Sequence, residues 1–152
     1  MNEQATRWLS NDEQLTWRSF IVAANRVDAA LDRQLQRDAG MPHAYYGILV
    51  TLSEAEGRAM RMGELADALH YSRSRLAHAV SKMETSGWIR REHCPDDRRG
   101  QIAVLTGSGL AALEHAAPGH VAEVRRLVLD PLSATEQRTL HRLLEHINDH
   151  LP

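Results

Sequence analysis

Residues Met62–Thr106 read MGELADALHYSRSRLAHAVSKMETSGWIRREHCPDDRRGQIAVLT, and the plan of the whole chain follows from them. Gly63 to Leu69 forms a short helix with Leu65, Ala66 and Leu69 on one side. After a polar break at His70–Ser72, the Ser72 hydroxyl is placed to accept from the unpaired amides of a second helix. That helix carries Leu76, Val80 and Met83 at i, i+4, i+7 with Ala79 beside them, one apolar stripe at helical period. Gly87 ends it, since glycine enters the left-handed turn without steric penalty. Two short runs follow, Trp88–Cys94 and Gln101–Leu105, joined by Pro95-Asp96-Asp97-Arg98-Arg99-Gly100. Ile89, Ile102 and Val104 sit among polar residues as in strands, and Pro, Asp and Gly supply turn chemistry. Helix, tight turn, helix and β-hairpin make a winged helix-turn-helix.

At about 100° per residue, the side of the second helix opposite its stripe carries Ser74, His78, Ser81 and Thr85, with Arg73, Arg75 and Lys82 on the flanks. Hydroxyls, an imidazole and guanidinium groups suit a DNA major groove, where base edges present acceptors and donors. From Tyr71 to Gly100 there are seven Arg or Lys residues against four Asp or Glu, on a chain whose net charge is −2. A local basic surface on an acidic body is the electrostatic footprint of a specific DNA binder. The expected DNA contacts are therefore Ser72, Arg73, Ser74, Arg75, His78, Ser81 and Lys82 on the helix and Arg98 and Arg99 on the wing. Arg90 and Arg91 alternate on a strand, so at most one of them faces phosphate.

The chain here resembles the MarR (multiple antibiotic resistance regulator) family of winged-helix transcription factors. The residues that carry the resemblance are Gly63-Glu64-Leu65-Ala66, Ser72-Arg73-Ser74-Arg75-Leu76, Met83-Glu84 with Gly87, Asp97-Arg98-Arg99-Gly100, and Leu105-Thr106 with Gly109. Many members carry Thr-Arg in the middle of the recognition helix, where this chain has Ala77-His78, so base contacts from those two positions do not carry over. The resemblance implies that Arg99 enters a minor groove, whose negative potential attracts guanidinium, with Asp97 bracing it through a bidentate pair. It also implies terminal helices that intertwine into a two-fold dimer.

Read outward from this stretch, the remainder is helical. Ser10-Asn11-Asp12-Glu13 is a capping box. From it Phe20, Ala23, Val27, Leu31 and Leu35 keep one face as far as Gly40, a helix roughly 40 Å long. Pro42 fits the first position of a next helix, which holds Tyr45, Tyr46, Ile48, Leu49 and Leu52 and ends near Gly57. Met60-Arg61-Met62 is a connector expected to pair with the wing. Thr106 caps a long helix through Leu110, Leu113, Val121, Val124, Leu127 and Val128, which Pro118-Gly119 is expected to kink or break. A second capping box, Ser133-Ala134-Thr135-Glu136, opens a last helix striped with Leu140, Leu143, Leu144, Ile147 and Leu151.

The fold class is thus mostly α with a small β-hairpin, one domain over 1–152. Residues 41–106 form the winged helix-turn-helix lobe, and 1–40 with 107–152 form dimerisation helices. Trp8, Leu9, Leu15 and Trp17 at one end, and Leu127–Leu132 with Leu140–Leu151 at the other, exceed what one subunit of 152 residues can cover, and call for a second copy. With 43% hydrophobic and 25% charged residues the composition is that of a globular protein. One cysteine fits a reducing compartment. No signal peptide and no apolar run near the ~20 residues of a membrane span is present, so a cytoplasmic location without membrane contact is expected.

An effector pocket is expected where the first two helices and the post-wing helix meet the lobe, with Trp17, Phe20, His43, Tyr45 and Tyr46 as the aromatic residues available to line it. The resemblance implies a small aromatic or phenolic anion whose binding lowers DNA affinity. His146 and His150 have ligand spacing, with His141 near, but no complete zinc set is visible, so neither metal nor cofactor is expected. No phosphate loop, nucleophile elbow or HExxH sequence occurs, so the chain is not expected to be an enzyme. The reading is a homodimeric DNA-binding repressor acting on a pseudo-palindromic operator and released by a small ligand. Two alternatives stay open: a thiol- or metal-responsive sensor on the same scaffold, with Cys94 as the thiol, and a winged-helix interaction module that does not bind DNA.

Overall fold

The computed structural model describes residues 6–94 and 97–151, with Asp97, Arg98 and Arg99 described at the backbone alone. The elements run α1 (Asn11–Ala39), α2 (His43–Glu54), β1 (Ala59–Arg61), α3 (Met62–Ala68), α4 (Arg73–Thr85), β2 (Ile89–Cys94), β3 (Asp97–Leu105), α5 (Gly107–Val124) and α6 (Ala134–Asn148). A single 3-10 turn, Glu56–Arg58, precedes β1, and a π turn, Arg125–Leu129, extends α5.

Helix ends follow local chemistry closely. At Ser10 the hydroxyl accepts from the Glu13 amide at 3.2 Å and the Glu13 carboxylate accepts from the Ser10 amide at 2.7 Å. The same reciprocal pair closes the start of α6 at Ser133 and Glu136. Ser72 accepts from the Arg75 amide and Thr106 from the Gly109 amide. Gly40 and Gly87 take the left-handed conformation after α1 and α4, at φ 64° and 75°.

Four details depart from the expectation. Pro42 stands one residue outside α2, its extended ψ of 148° making it the cap and His43 the first helical residue. The helix stops at Glu54 instead of near Gly57, and Gly57 instead supplies the positive φ of the turn that follows. Strand β3 begins at Asp97, four residues before Gln101, because Cys94 and Asp97 already pair across the hairpin. Pro118 and Gly119 neither break nor end α5. Pro118 is exposed, so its missing donor removes one ladder bond without burying an unpaired group. Gly119 lies against the Gln34 side chain of α1, so the pair sits where α5 presses on α1. The irregular turn comes later, where the Asp130 amide reaches back five residues to the Arg125 carbonyl at 2.7 Å.

The three strands form an antiparallel sheet in the order β1–β3–β2. The connector therefore does pair with the wing, Ala59 facing Val104 and Arg61 facing Ile102. Beneath the sheet Leu35, Met41, Ile48, Leu49, Leu52, Leu65, Leu76, Val80, Met83 and Ile89 are fully buried in one core. All four members of the α4 stripe, Leu76, Ala79, Val80 and Met83, point into it. By contrast α6 buries no residue, and Leu140, Leu143, Leu144 and Ile147 are exposed along its face. Among the described residues no helix is long and apolar enough to cross a membrane.

Candidate nucleic-acid interface

With its apolar stripe committed to the core, α4 turns Arg73, Ser74, Arg75, Ala77, His78 and Lys82 to solvent, together with Ser72 at the cap. Ser81, expected on the same outward side, is half-buried. The turn that sets the angle between α3 and α4 is a Schellman motif. His70 takes φ 52° and donates its amide to the Asp67 carbonyl, and the Tyr71 amide donates to the Ala66 carbonyl at 2.9 Å. Histidine is one of the residues that enter the left-handed region with least resistance after glycine. Helix α4 ends in the same motif, with Gly87 bonded to Glu84 and Trp88 to Met83.

The two arginines of the first turn of α4 are held differently. Arg73 leans back over α3, its guanidinium 3.3 Å from Asp67 and packed against Gly63 so closely that a Cβ there would collide with it. Arg75 instead lies over the Tyr71 ring, 4.0 Å from guanidinium carbon to ring centroid. Among the described residues no carboxylate lies within ion-pair distance of Arg75.

Arg91 is turned towards α4. It gives three hydrogen bonds to Glu84 on α4, from its amide, Nε and Nη2 at 3.1, 3.0 and 2.6 Å. These bonds hold the Glu84 carboxyl below the usual carboxylate range, the charged side-chain bond from Arg91 contributing most. Arg90 is exposed and pairs with Glu92 on its own strand at 2.8 Å. The backbone of Arg98 and Arg99 belongs to β3 instead of to a loose tip. Their side chains, and the Asp97 carboxylate expected to brace Arg99, lie outside the described residues.

Behind this face a cleft of about 550 Å³ opens between α3, α4 and the wing, lined among others by Glu64, Asp67, Arg73 and Cys94. Cys94 itself is 4% exposed, so its thiol is not offered to solvent as a redox sensor requires.

The aromatic residues expected to line an effector pocket fall into two places. Trp17 and Phe20 neighbour each other on α1, ring centroids 6.3 Å apart, and are 55% and 41% exposed. His43 binds Asp28 through Nδ1 at 2.8 Å. Phe20 lies eight residues before Asp28 on the same helix, about 12 Å along the axis, so these rings do not share one site. Tyr45 packs at the edge of the core. His43 and Tyr46 do come together, around a third ring that the sequence did not suggest: His120 of α5 lies 5.4 Å from His43 and 4.1 Å from Tyr46. Burial pushes the His120 pKa down, as does the neighbouring His43, and burial pushes the Tyr46 hydroxyl up. No spacing in the chain links positions 43 and 120. His146 and His150 meet edge to face at the C-terminal end of α6, His150 Nδ1 bonding the His146 carbonyl, and no group of metal-ligating residues forms among the described residues.

Comparison with known proteins agrees with this architecture. Residues 39–100 match the model of the MarR family. The transcriptional regulator PecS of Dickeya dadantii is 30% identical over 126 residues, 82% of this chain and 75% of that protein. A MarR family transcriptional regulator from Streptomyces coelicolor, solved in complex with DNA, is 51% identical with a TM-score of 0.93, over 97% of this chain and 92% of that one. AbsC, a MarR family transcriptional regulator from the same organism, is 43% identical with a TM-score of 0.89, over 95% of this chain and 97% of that one. A helix that buries one stripe, shows a polar and basic face and is followed by a two-stranded wing thus occurs here in a chain similar throughout its length to known regulators. The chain belongs to the MarR family of DNA-binding, winged-helix transcriptional regulators.

Proposed function

We propose that the protein is a homodimeric repressor that lays α4 in the major groove of each half of a pseudo-palindromic operator and the wing in the adjacent minor groove. The observation that carries this reading is the outward face of α4: Ser74, Arg75, His78 and Lys82 exposed together on a helix locked to the core by Leu76, Val80 and Met83. Ser72 and Arg73 border that face, and Ser81 lies half-buried at its edge. On the wing, Arg99 is the residue proposed to enter the minor groove, with Arg98 beside it and Asp97 in support. The dimer is proposed on the apolar surface left open at both ends, Trp8, Leu15 and Trp17 at one end and Leu140, Leu143, Leu144 and Ile147 at the other.

Release by a small aromatic or phenolic ligand is proposed on the family resemblance. The ring cluster of His43, Tyr46 and His120, at the junction of α1, α2 and α5, supports it by placing polarisable rings where the lobe meets the long helices. Such a ligand shifts the DNA-binding equilibrium by its differential affinity for two lobe spacings and by no more.

The test is a fluorescence-anisotropy salt series on wild type, Arg99→Ala and His78→Ala, against a duplex enriched by the protein from a random-sequence pool and against a scrambled duplex. Arg99→Ala is expected to weaken both duplexes by a similar factor and to flatten the salt slope by about one unit. His78→Ala is expected to weaken the enriched duplex and leave the salt slope nearly unchanged. Equal loss on both duplexes for His78→Ala would mean that α4 does not read sequence.

A further inference from the structure

The two arginines at the start of α4 are one residue apart on either side of Ser74, and sequence alone leaves them equivalent. The structure separates them by what lies beneath each guanidinium. Arg73 rests on a carboxylate: Asp67 Oδ1 and Oδ2 stand 3.3 and 3.4 Å from its Nη2, and Glu64 lines the same cleft. The pair is exposed on both sides, so it turns the fork back along α3 without cancelling the charge. Arg75 rests on a neutral ring, and among the described residues neither its charge nor its guanidinium donors are spent.

The ring under Arg75 is also well anchored. Tyr71 sits at the last position of the Schellman motif, its amide bonded to the Ala66 carbonyl, and its half-buried side chain packs against the core through the same turn that joins α3 to α4. Arginine in solution spreads over many rotamers, and ordering it on DNA costs side-chain entropy. An aromatic face 4.0 Å from the guanidinium carbon removes part of that cost beforehand and spends none of its N–H groups. A planar fork with free in-plane donors is what bidentate pairing with guanine O6 and N7 requires.

We infer that Tyr71 is a positioning residue that holds Arg75 over its ring as the base-reading arginine of α4, and that Arg73, tethered to Asp67, serves the phosphate backbone instead. This rests on the proposed DNA-binding mode and adds to it a division of labour between the two arginines and a part for a residue outside the recognition helix.

The experiment compares wild type, Arg75→Ala, Arg73→Ala, Tyr71→Phe, Tyr71→Leu and the double variant Tyr71→Leu/Arg75→Ala. All are measured by anisotropy against the duplex that wild type enriches from a random-sequence pool and against its scrambled counterpart. Arg75→Ala should lower the ratio of enriched to scrambled affinity by about tenfold or more. Arg73→Ala should lower both affinities alike and flatten the salt slope by about one unit. Tyr71→Leu, which keeps apolar bulk for the core but removes the π face, should lower the ratio by about two- to fivefold, and Tyr71→Phe should keep it. In the double variant the Tyr71→Leu effect should vanish, since its only target is gone.

Circular dichroism melting of each variant reports folding independently. Additive effects in the double variant, or equal loss on both duplexes from Tyr71→Leu in a protein that melts like wild type, would overturn the inference while leaving the DNA-binding mode intact. A Tyr71→Leu protein that no longer folds is replaced by Tyr71→Met, judged by the same two criteria. A wild-type protein that enriches no sequence would remove the DNA-binding mode and this inference with it.

Discussion

Glu84 on the recognition helix takes three hydrogen bonds from Arg91 on the first wing strand, so helix and wing are joined by a charged clasp. Both side chains are about one-third exposed, at 36% and 29%, so solvent screens much of the attraction and the pair acts mainly through geometry.

Replacing Glu84 by Gln should lower the melting temperature by about 2–4 °C, the size expected when about 1 kcal/mol is lost from a chain of this length. The Glu84 pKa is lowered in the folded protein. Its contribution is therefore present above the unfolded carboxylate pKa and fades as pH falls through the folded value. The wild-type advantage over Glu84→Gln in thermal melts should shrink steadily on acidification below about pH 4.5. An advantage unchanged at pH 3 would mean that the clasp does not titrate as its geometry implies.

His120 has the opposite chemistry with the same outward trend. Its folded pKa is depressed by burial and by His43, so the unfolded chain takes up a proton on this ring before the folded one does. Stability assigned to His120 is fully present above about pH 6.5 and declines as pH falls through the unfolded value towards the folded one. Calorimetry of wild type and His120→Gln across pH 7.5 to 5 should show the wild type losing melting temperature faster. Parallel curves would mean that the ring is free to ionise in the folded state.

Gly109 and Gly107 make a matched pair at the start of α5. A Cβ on Gly109 would fall on the Trp88 carbonyl, whereas one on Gly107 meets nothing within 4 Å. The Thr106 hydroxyl also donates to the Gly87 carbonyl at 2.6 Å, so this corner has backbone on both sides and cannot give way. Gly109→Ala should destabilise by about 2–3 kcal/mol, and Gly107→Ala should be neutral or stabilise by up to about 1 kcal/mol. Chemical denaturation of both variants decides it, and equal midpoints would show that the corner relaxes.

The proposed dimer rests on side chains that a single charge can spoil. Leu143→Glu together with Ile147→Glu should leave a folded chain that sediments as a monomer, because α6 buries nothing within its own subunit. Operator affinity should then fall by about a hundredfold or more, as two linked half-site contacts become separate ones. A dimer that survives both substitutions would place the interface elsewhere.

What could be read from the chain was what local chemistry decides. Ser10, Ser133, Ser72 and Gly87 each satisfy backbone groups within a few residues, so their positions named the helix ends directly. The α4 stripe was equally plain, because period 3.6 over Leu76, Val80 and Met83 leaves one side for the core. Contacts across space were not legible: Asp67 with Arg73, Glu84 with Arg91, and His120 with His43 need the fold before the partners meet. Tyr71 was visible as a residue but not as a ring beneath Arg75, since it stands outside the helix where no periodicity applies. At Pro118 the expected break does not occur, because the rule for proline in helices counts the lost bond and not the α1 surface that holds α5 in place.

Three ties close the reading head upon itself. Strand β1, which leads into α3, is paired to β3; β2 is clasped to α4; and α3 is joined to α4 through a bonded turn. The recognition helix and the wing are therefore tines of one fork, held at one separation by bonds that run between them. On the proposed binding mode, a half-site has to match that gauge in the DNA itself, through its groove width and local twist. In the dimer proposed above, the distance between two forks is set outside this head, by the helices that carry the open apolar surface, and it is there that tolerance in an operator is expected.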